Sequence, residues 1–403
     1  LGTPVFVYSE GRFSENAAAL VEALAPPPPR RLRVAYSTKT ASEPGLLRAL
    51  AAEGLGAEVA CEHELEQALR AGFAPQDVIV DGPAHTAELV GRALSAGVRC
   101  IKVDSPDQLR LVERVAGDRP APVCLRLRAP RSRWLSGPAD GLSSRFGFAP
   151  GDLSTALAAI SDSPRLELVG LAVHGGSQIT GPEAYDPLLG LLADAARRSV
   201  AAGHRPAEIN IGGGFPSPSL GSTSPLGMLR GLLAGGTTPV PPIERFGRVV
   251  RAGLAGREIP GCVEHLVVEP GRALVSDAAV LLTRVVAAKG RWLILDASRN
   301  FVPESLLFAR RRFLAARRGG RPRLTNLAGC TLSGGDVLEM GARLPRLAAG
   351  DLLVMLDAGA YTLSRANRFT TTMPPAYAMA DGGELRELRR RETAEDVADA
   401  ADV

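Results

Sequence analysis

Only three lysines occur in this 403-residue chain, Lys39, Lys102 and Lys289. Lysine and arginine together number 47, so the other 44 are arginine. A guanidinium stays protonated and cannot attack a carbonyl, whereas a lysine amine can. Lys39 ends the run Val34-Ala35-Tyr36-Ser37-Thr38-Lys39, just past a short apolar strand candidate. Lys102 and Lys289 read as ordinary surface lysines. Other reactive residue types also sit in or just after short apolar runs. Glu58 lies in Ala57–Ala60 and Arg126 in Val123–Leu127. His174 follows Leu166–Val173 and leads into Gly175-Gly176-Ser177-Gln178. Gly212-Gly213-Gly214 follows Glu208–Ile211, and Glu269-Pro270-Gly271-Arg272 follows His265–Val268. Bare glycines let backbone N–H groups approach a phosphate. Each feature has a plainer reading too: a tight turn for the glycines, a surface ion pair for Glu269 and Arg272, an internal salt bridge for Glu58 and Arg126.

The elements that must position these residues repeat. Short apolar runs at Arg33–Tyr36, Ala57–Ala60, Val78–Val80, Cys100–Val103, Val123–Leu127, Leu166–Val173, Glu208–Ile211 and His265–Val268 alternate with helical stretches such as Glu62–Ala71 and Pro182–Ala202. Eight strand–helix units predict a (β/α)8, TIM-like barrel, whose catalytic residues gather at the C-terminal ends of the strands. An open doubly wound sheet would call for a GxGxxG after the first strand, and none is there. Beyond about residue 272 the texture turns β-rich. Ala273–Ala287, Trp292–Asp296, Leu352–Asp357 and Phe369–Thr372 read as strands, Pro303–Arg318 as a helix, and the charged tail from Gly383 as frayed or an exposed helix. The expected division is a barrel over 9–271 and a mostly β domain formed by 272–403 with the opening strand, 1–8.

Composition narrows the function. The net charge of +4 is small for the length, so nucleic acid is not implied. No apolar run reaches the ~18 residues of a membrane span, and Leu1-Gly2-Thr3-Pro4 does not read as a signal peptide. Five scattered cysteines and five dispersed histidines form neither a disulfide framework nor a metal site. A reduced, cytoplasmic protein is expected.

Taken in order, these residues resemble the fold type III, pyridoxal-phosphate-dependent amino-acid decarboxylases, which act on diaminopimelate, ornithine and arginine and share the alanine racemase type of barrel. Thr3-Pro4-Val5-Phe6-Val7-Tyr8 is similar to the family's opening strand, and Tyr36-Ser37-Thr38-Lys39 to its Tyr-x-x-Lys motif. His174-Gly175-Gly176-Ser177-Gln178 resembles the His-Ile-Gly-Ser-Gln of the diaminopimelate branch. Ile211–Pro216 and Glu269–Arg272 match closely, and Cys330 with Asp336 and Asp357–Thr362 resemble two late motifs. The resemblance implies that Lys39 holds pyridoxal 5'-phosphate as a Schiff base, that His174 stacks on its ring and that Glu269 pairs with the ring nitrogen. Ser177, Gly213, Gly214, Arg272 and Tyr361 would hold the phosphate, and Glu58 and Arg126 would lie beside the cofactor. Cys330 would come from a second subunit of a head-to-tail homodimer and deliver a proton.

The pattern departs from the family at one place. The diaminopimelate and ornithine branches have an acid after the late cysteine, and it grips the distal end of the substrate; here Thr331 stands there. The spacing to Asp336 is also longer. The expectation is decarboxylation at Cα of an amino acid, free or carrier-bound, other than the standard diaminopimelate or ornithine, with Thr331 and Asp336 near the substrate. The rival readings are a racemase or epimerase on the same scaffold, against which Glu269 counts, and a non-catalytic cofactor-binding protein. The pairs Arg131–Trp134 and Arg310–Arg312 with Arg317–Arg318 read as a surface loop and a solvated helix face, or as substrate contacts.

Overall fold

A computed structural model describes residues 1–130, 145–217, 240–304, 311–317 and 319–399. Eight parallel strands close into a barrel: β2 (Arg31–Ser37), β3 (Gly56–Val59), β4 (Val78–Val80), β5 (Cys100–Val103), β6 (Ala121–Leu127), β7 (Leu166–Val173), β8 (Glu208–Asn210) and β9 (His265–Val268). Val34 against Val268 completes the ring between β2 and β9. The crossover helices start and stop on local signals. Thr86 caps α4 (Ala87–Ala96) by accepting from the Leu89 N–H, and Gly97 ends it in the left-handed region at φ 74°. Ser105 and Pro106 open α5 (Pro106–Ala116) in the same economical way.

Strand residues alternate in and out, and the inward ones form layers. Ala35, Ile79, Cys100, Cys124, Ala172 and Val267 pack into one buried cluster of small or slender side chains inside the barrel. The next inward position on each of those strands, two residues on, is Ser37, Asp81, Lys102, Arg126, His174 and Glu269. The apolar layer is therefore the floor on which a polar layer stands, at the C-terminal mouth.

The second sheet runs β14-β13-β11-β10-β1-β16-β17, with β12 and β15 joined beside β10. Here β1 is Val5–Ser9, β10 Ala279–Lys289, β11 Trp292–Leu295, β12 Phe313–Ala315, β13 Arg323–Ala328, β14 Val337–Leu344, β15 Leu352–Met355, β16 Ala376–Met379 and β17 Leu385–Arg389. The opening strand does join this sheet, antiparallel to β10 and parallel to β16. Four expectations are corrected. Arg272–Val275 is a helical turn rather than the start of the long strand. The predicted helix over Pro303–Arg318 is not formed in its described residues, because Phe313–Ala315 pairs antiparallel with β15 and backbone pairing outweighs an arginine-rich helical pattern. Phe369–Thr372 is a turn, with Thr370 at φ 54°. The charged tail contributes edge strand β17 before its final helix, Ala394–Asp399.

Candidate functional site

Lys39 lies in a single helical turn directly after β2, and its side chain is 47% exposed at the barrel mouth. Its Nζ donates to both carboxylate oxygens of Glu58, each at 2.7 Å. Glu58 is buried on β3, where Ser37 Oγ also donates to it. Burial, the largest single influence, would lower the lysine, but Glu58, Tyr361 and Asp81 together raise it; burial likewise opposes ionisation of Glu58, and Lys39 and Lys102 together bring it below its ordinary value. The two form an ion pair in the free protein.

The salt-bridge reading of Arg126 also holds, with a partner that the sequence did not single out. Arg126 Nη1 sits 3.0 Å from Asp81 Oδ1, and its guanidinium covers the Phe146 ring at 4.7 Å. Lys102 is no surface lysine. It is 2% exposed inside the barrel, bonded to Glu269 Oε1 and 3.3 Å from Asp81 Oδ2. Asn210 donates to the same Oε1 at 2.8 Å and accepts from the Gly212 N–H at 2.8 Å. Lys289, by contrast, is exposed. Asp81, Lys102 and Asn210 were missed, although the scarcity of lysine that marked Lys39 marks Lys102 equally.

His174 follows β7, and its Nδ1 accepts from the Gly213 N–H at 3.2 Å. Burial first, then the cations Arg126, Lys39 and Lys102, push it down to about 3. The imidazole is neutral, with Nδ1 the acceptor and the proton on Nε2. The glycine run is more than a turn. Gly212 and Gly214 take φ of 69° and 89°, and a Cβ on Gly213 would meet the Glu269 carbonyl oxygen at 2.2 Å. Tyr185 OH holds the Gly213 carbonyl at 2.9 Å, and its ring stacks on Phe215 at 4.8 Å, so the loop is braced from beneath.

Across the rim the second sheet supplies the other wall. Tyr361, at φ 53°, donates its N–H to the Thr40 carbonyl at 2.8 Å, and the Arg272 guanidinium lies 4.8 Å from the centre of its ring. Arg272 is buried and pairs with Glu304 at 3.0 Å, yet its Nε and Nη1 are buried without a hydrogen-bond partner. Arg311 repeats this. It is 2% exposed, donates from Nη2 to the Ala360 carbonyl at 3.0 Å, and leaves Nε and Nη1 unpaired. Burial and the nearby Arg272 push it down to about 10. Arg311 is therefore no solvated helix face, because the segment folds under the 357–361 loop. Buried N–H donors without partners are costly, and two such guanidiniums beside a glycine cradle suit a phosphate dianion. Ser177 is exposed on the loop after His174.

Cys330, Thr331 and Asp336 stand apart from this cluster, on the exposed loop between β13 and β14. Asp336 faces inward. It accepts from Thr331 Oγ1 at 2.6 Å, the Thr331 N–H at 2.9 Å, Ser298 Oγ at 3.1 Å and the Arg299 N–H at 2.7 Å. Its carboxylate is held by its own loop and by the Ser298–Arg299 segment. Burial and Asp336 raise the Cys330 thiol. Arg131–Trp134, Arg310 and Arg318 lie outside the described residues. Among the described residues no cluster of His, Cys, Asp or Glu suits a metal, and no helix is long and apolar enough to cross a membrane.

Comparison with known proteins agrees with this geometry. The family model for the pyridoxal-dependent decarboxylases, pyridoxal binding domain, matches residues 10–276. A diaminopimelate decarboxylase of Pseudomonas aeruginosa is 33% identical over 98% of this chain and 92% of its own length. One from Actinosynnema pretiosum subsp. auranticum is also 33% identical, over 98% and 88%. In fold, the chain is similar to a diaminopimelate decarboxylase of Helicobacter pylori complexed with L-lysine, with TM-score 0.86, 23% identity and coverage of 100% and 97%. A lysine/ornithine decarboxylase of Vibrio vulnificus superposes with TM-score 0.77 at 24% identity, covering 95% and 96%. With a lysine, a neutral histidine, a buried acid and a glycine turn on one barrel rim, and with the family model and these relatives spanning it, the chain belongs to the pyridoxal-dependent amino-acid decarboxylases, enzymes that use pyridoxal 5'-phosphate.

Proposed function

We propose that the rim residues divide the work of α-decarboxylation as follows. The observation that carries the reading is the Lys39–Glu58 pair at 2.7 Å on the rim that also holds Glu269 and the glycine cradle. Lys39 Nζ attaches the cofactor, and Glu58, which it contacts, holds the side chain in place at the mouth. Gly214, Gly213, Ser177, Arg272 and Tyr361 hold the phosphate, with the orphaned Arg272 donors the strongest pull. Neutral His174 would lie against the ring without adding charge, Arg126 would flank it, and Glu269 would pair with the ring nitrogen. When bound, pyridoxal phosphate supplies an electron sink for the charge left at Cα as carbon dioxide departs. Cys330, kept as a thiol, is suited to give a proton rather than to act as a nucleophile. Its exposed loop points to delivery from a second copy of the chain, in a cytoplasmic homodimer. The barrel is taken as 9–271, and the β domain as 1–8 with 272–403.

For the substrate we infer an amino acid, free or carrier-bound, without a distal ammonium. Thr331 stands where a carboxylate would grip that group, and both Thr331 and Asp336 are already bonded to each other. The names of the relatives favour a second reading, diaminopimelate. Carbon dioxide release from diaminopimelate, lysine, ornithine and acidic amino acids separates the two readings, and turnover of diaminopimelate alone refutes the first. Absorbance of the bound cofactor should vanish in Lys39→Ala. A wild-type chain that takes up no pyridoxal phosphate at saturation overturns the site assignment. Deuterium entering Cα without carbon dioxide release would instead mark a racemase.

A further inference from the structure

The barrel mouth holds a closed set of charges. Lys39, Lys102 and Arg126 face Glu58, Asp81 and Glu269, all contributed by strands or by the turns that follow them. We propose that Lys102, anchored by Asp81, is a positioning residue that fixes the Glu269 carboxylate toward the cofactor's ring nitrogen and tempers how firmly that nitrogen keeps its proton. The proposal rests on the cofactor reading above.

Geometry carries it. Lys102 Nζ and Asn210 Nδ2 both donate to Glu269 Oε1, and neither takes Oε2. Two donors from separate barrel strands, β5 and β8, on one oxygen fix the rotation of the carboxylate and leave the other oxygen to face the ring. Asp81 holds Lys102 from the far side at 3.3 Å and is itself pinned by Arg126 Nη1 at 3.0 and 3.2 Å. A continuous chain of polar contacts thus runs Arg126–Asp81–Lys102–Glu269–Asn210 and ends on the Gly212 N–H of the cradle. One network ties the ring-nitrogen partner to the phosphate loop.

Electrostatics gives the network a sign. The groups acting on Glu269 are Lys102 from β5, Glu58 from β3, Asp81 after β4, Arg126 from β6 and Asn210 from β8, with His174 after β7 and Lys39 after β2 on the same rim. Burial raises Glu269, and Lys102 opposes that rise while Glu58 and Asp81 add to it. A cation at this place lowers the proton affinity of both Glu269 and a ring nitrogen beside it, and Asp81 offsets the cation. Removing Lys102 and removing Asp81 must therefore act in opposite directions.

The test is the pH titration of cofactor absorbance in the holoenzyme, with turnover measured alongside. Lys102→Gln is expected to move the midpoint upward by about one pH unit, the scale of a tenfold change in proton affinity. Asp81→Asn is expected to move it downward. In both, kcat falls with KM little changed, because neither residue contacts substrate. Opposite shifts support the proposal, since a merely structural role predicts loss of cofactor in both variants and no change of sign. If only one variant folds, the direction of its shift decides. Wild-type midpoints, or shifts in the same direction, overturn the proposal. A wild-type chain that binds no pyridoxal phosphate removes the cofactor reading itself, a separate outcome.

Discussion

Gly213→Ala tests the cradle with a single methyl group. The added Cβ would sit 2.2 Å from the Glu269 carbonyl oxygen and 3.2 Å from its carbonyl carbon, and both neighbours are backbone. That backbone cannot step aside freely, because the Glu269 N–H is bonded to the Gly212 carbonyl at 2.9 Å. The Gly213 carbonyl is held by Tyr185, and its N–H by His174. Relief must come from moving the loop, which breaks the His174 contact and opens the cradle. Overpacking of this kind costs about 1–3 kcal/mol, so cofactor affinity is expected to fall roughly 5- to 150-fold at ~1.4 kcal/mol per decade. Absorbance titration of apoprotein with pyridoxal 5'-phosphate measures it. Pyridoxal, which lacks the phosphate, should be affected far less. Gly261→Ala is the control, since nothing lies within 4 Å of a Cβ there. Unchanged affinity in Gly213→Ala, with Gly261→Ala also unchanged, would refute the claim that this loop is shaped for the cofactor.

Other outcomes follow from the same geometry. His174 at about 3 against an ordinary 6.5 means that the unfolded chain binds the extra proton between those values. Stability should therefore rise with pH from about 3 to 6.5 and level off above, and His174→Gln should flatten that slope in urea unfolding, leaving a smaller same-sign part from His265. Glu304 anchors Arg272 and Arg365; breaking a buried pair of this kind costs about 3–5 kcal/mol, so Glu304→Gln should lower the melting temperature of the apoprotein more than that of the holoenzyme, where a phosphate meets Arg272. Thr331→Glu should raise carbon dioxide release from diaminopimelate, and no gain would remove that position from specificity. Asp336→Ala strands donors from Thr331, Ser298 and Arg299 and should make the loop the first segment to exchange amide hydrogens.

Much of this could be read from the chain. The barrel strands were legible because each is short and apolar and a helical pattern separates it from the next, with a side-chain cap marking the start of Ala87–Ala96 and of Pro106–Ala116. The β domain was less so. Its strands β13, β14 and β16 carry Arg, Asn, Glu and Met on a half-exposed sheet, so alternation is weak, and β16 also pairs with β1 from the far end of the chain. Asp336 looked free because sequence shows the carboxylate but not the four donors that close on it. Gly329 makes room for it, since a Cβ there would meet both carboxylate oxygens at 2.3 Å.

The mouth was more legible than it was read. Period-two alternation links Ala35 to Ser37, Ile79 to Asp81, Cys100 to Lys102, Cys124 to Arg126, Ala172 to His174 and Val267 to Glu269. Six small or apolar residues sit at the inward position of six strands, and a polar or ionisable residue follows two places later on each. A charged residue two places beyond a buried inward one, at the open end of a barrel strand, must face the mouth, because an odd step is needed to turn it outward. That rule alone places Lys102 and Asp81 in the site without any knowledge of what binds there. Lys102, Asp81 and Glu269 then close on one another where burial leaves no room for an unpaired charge, and Arg126, Lys39 and Glu58 complete the balance nearer the opening. The lysine dismissed as surface is part of that balance, and altering it should be felt at Glu269 before it is felt anywhere else.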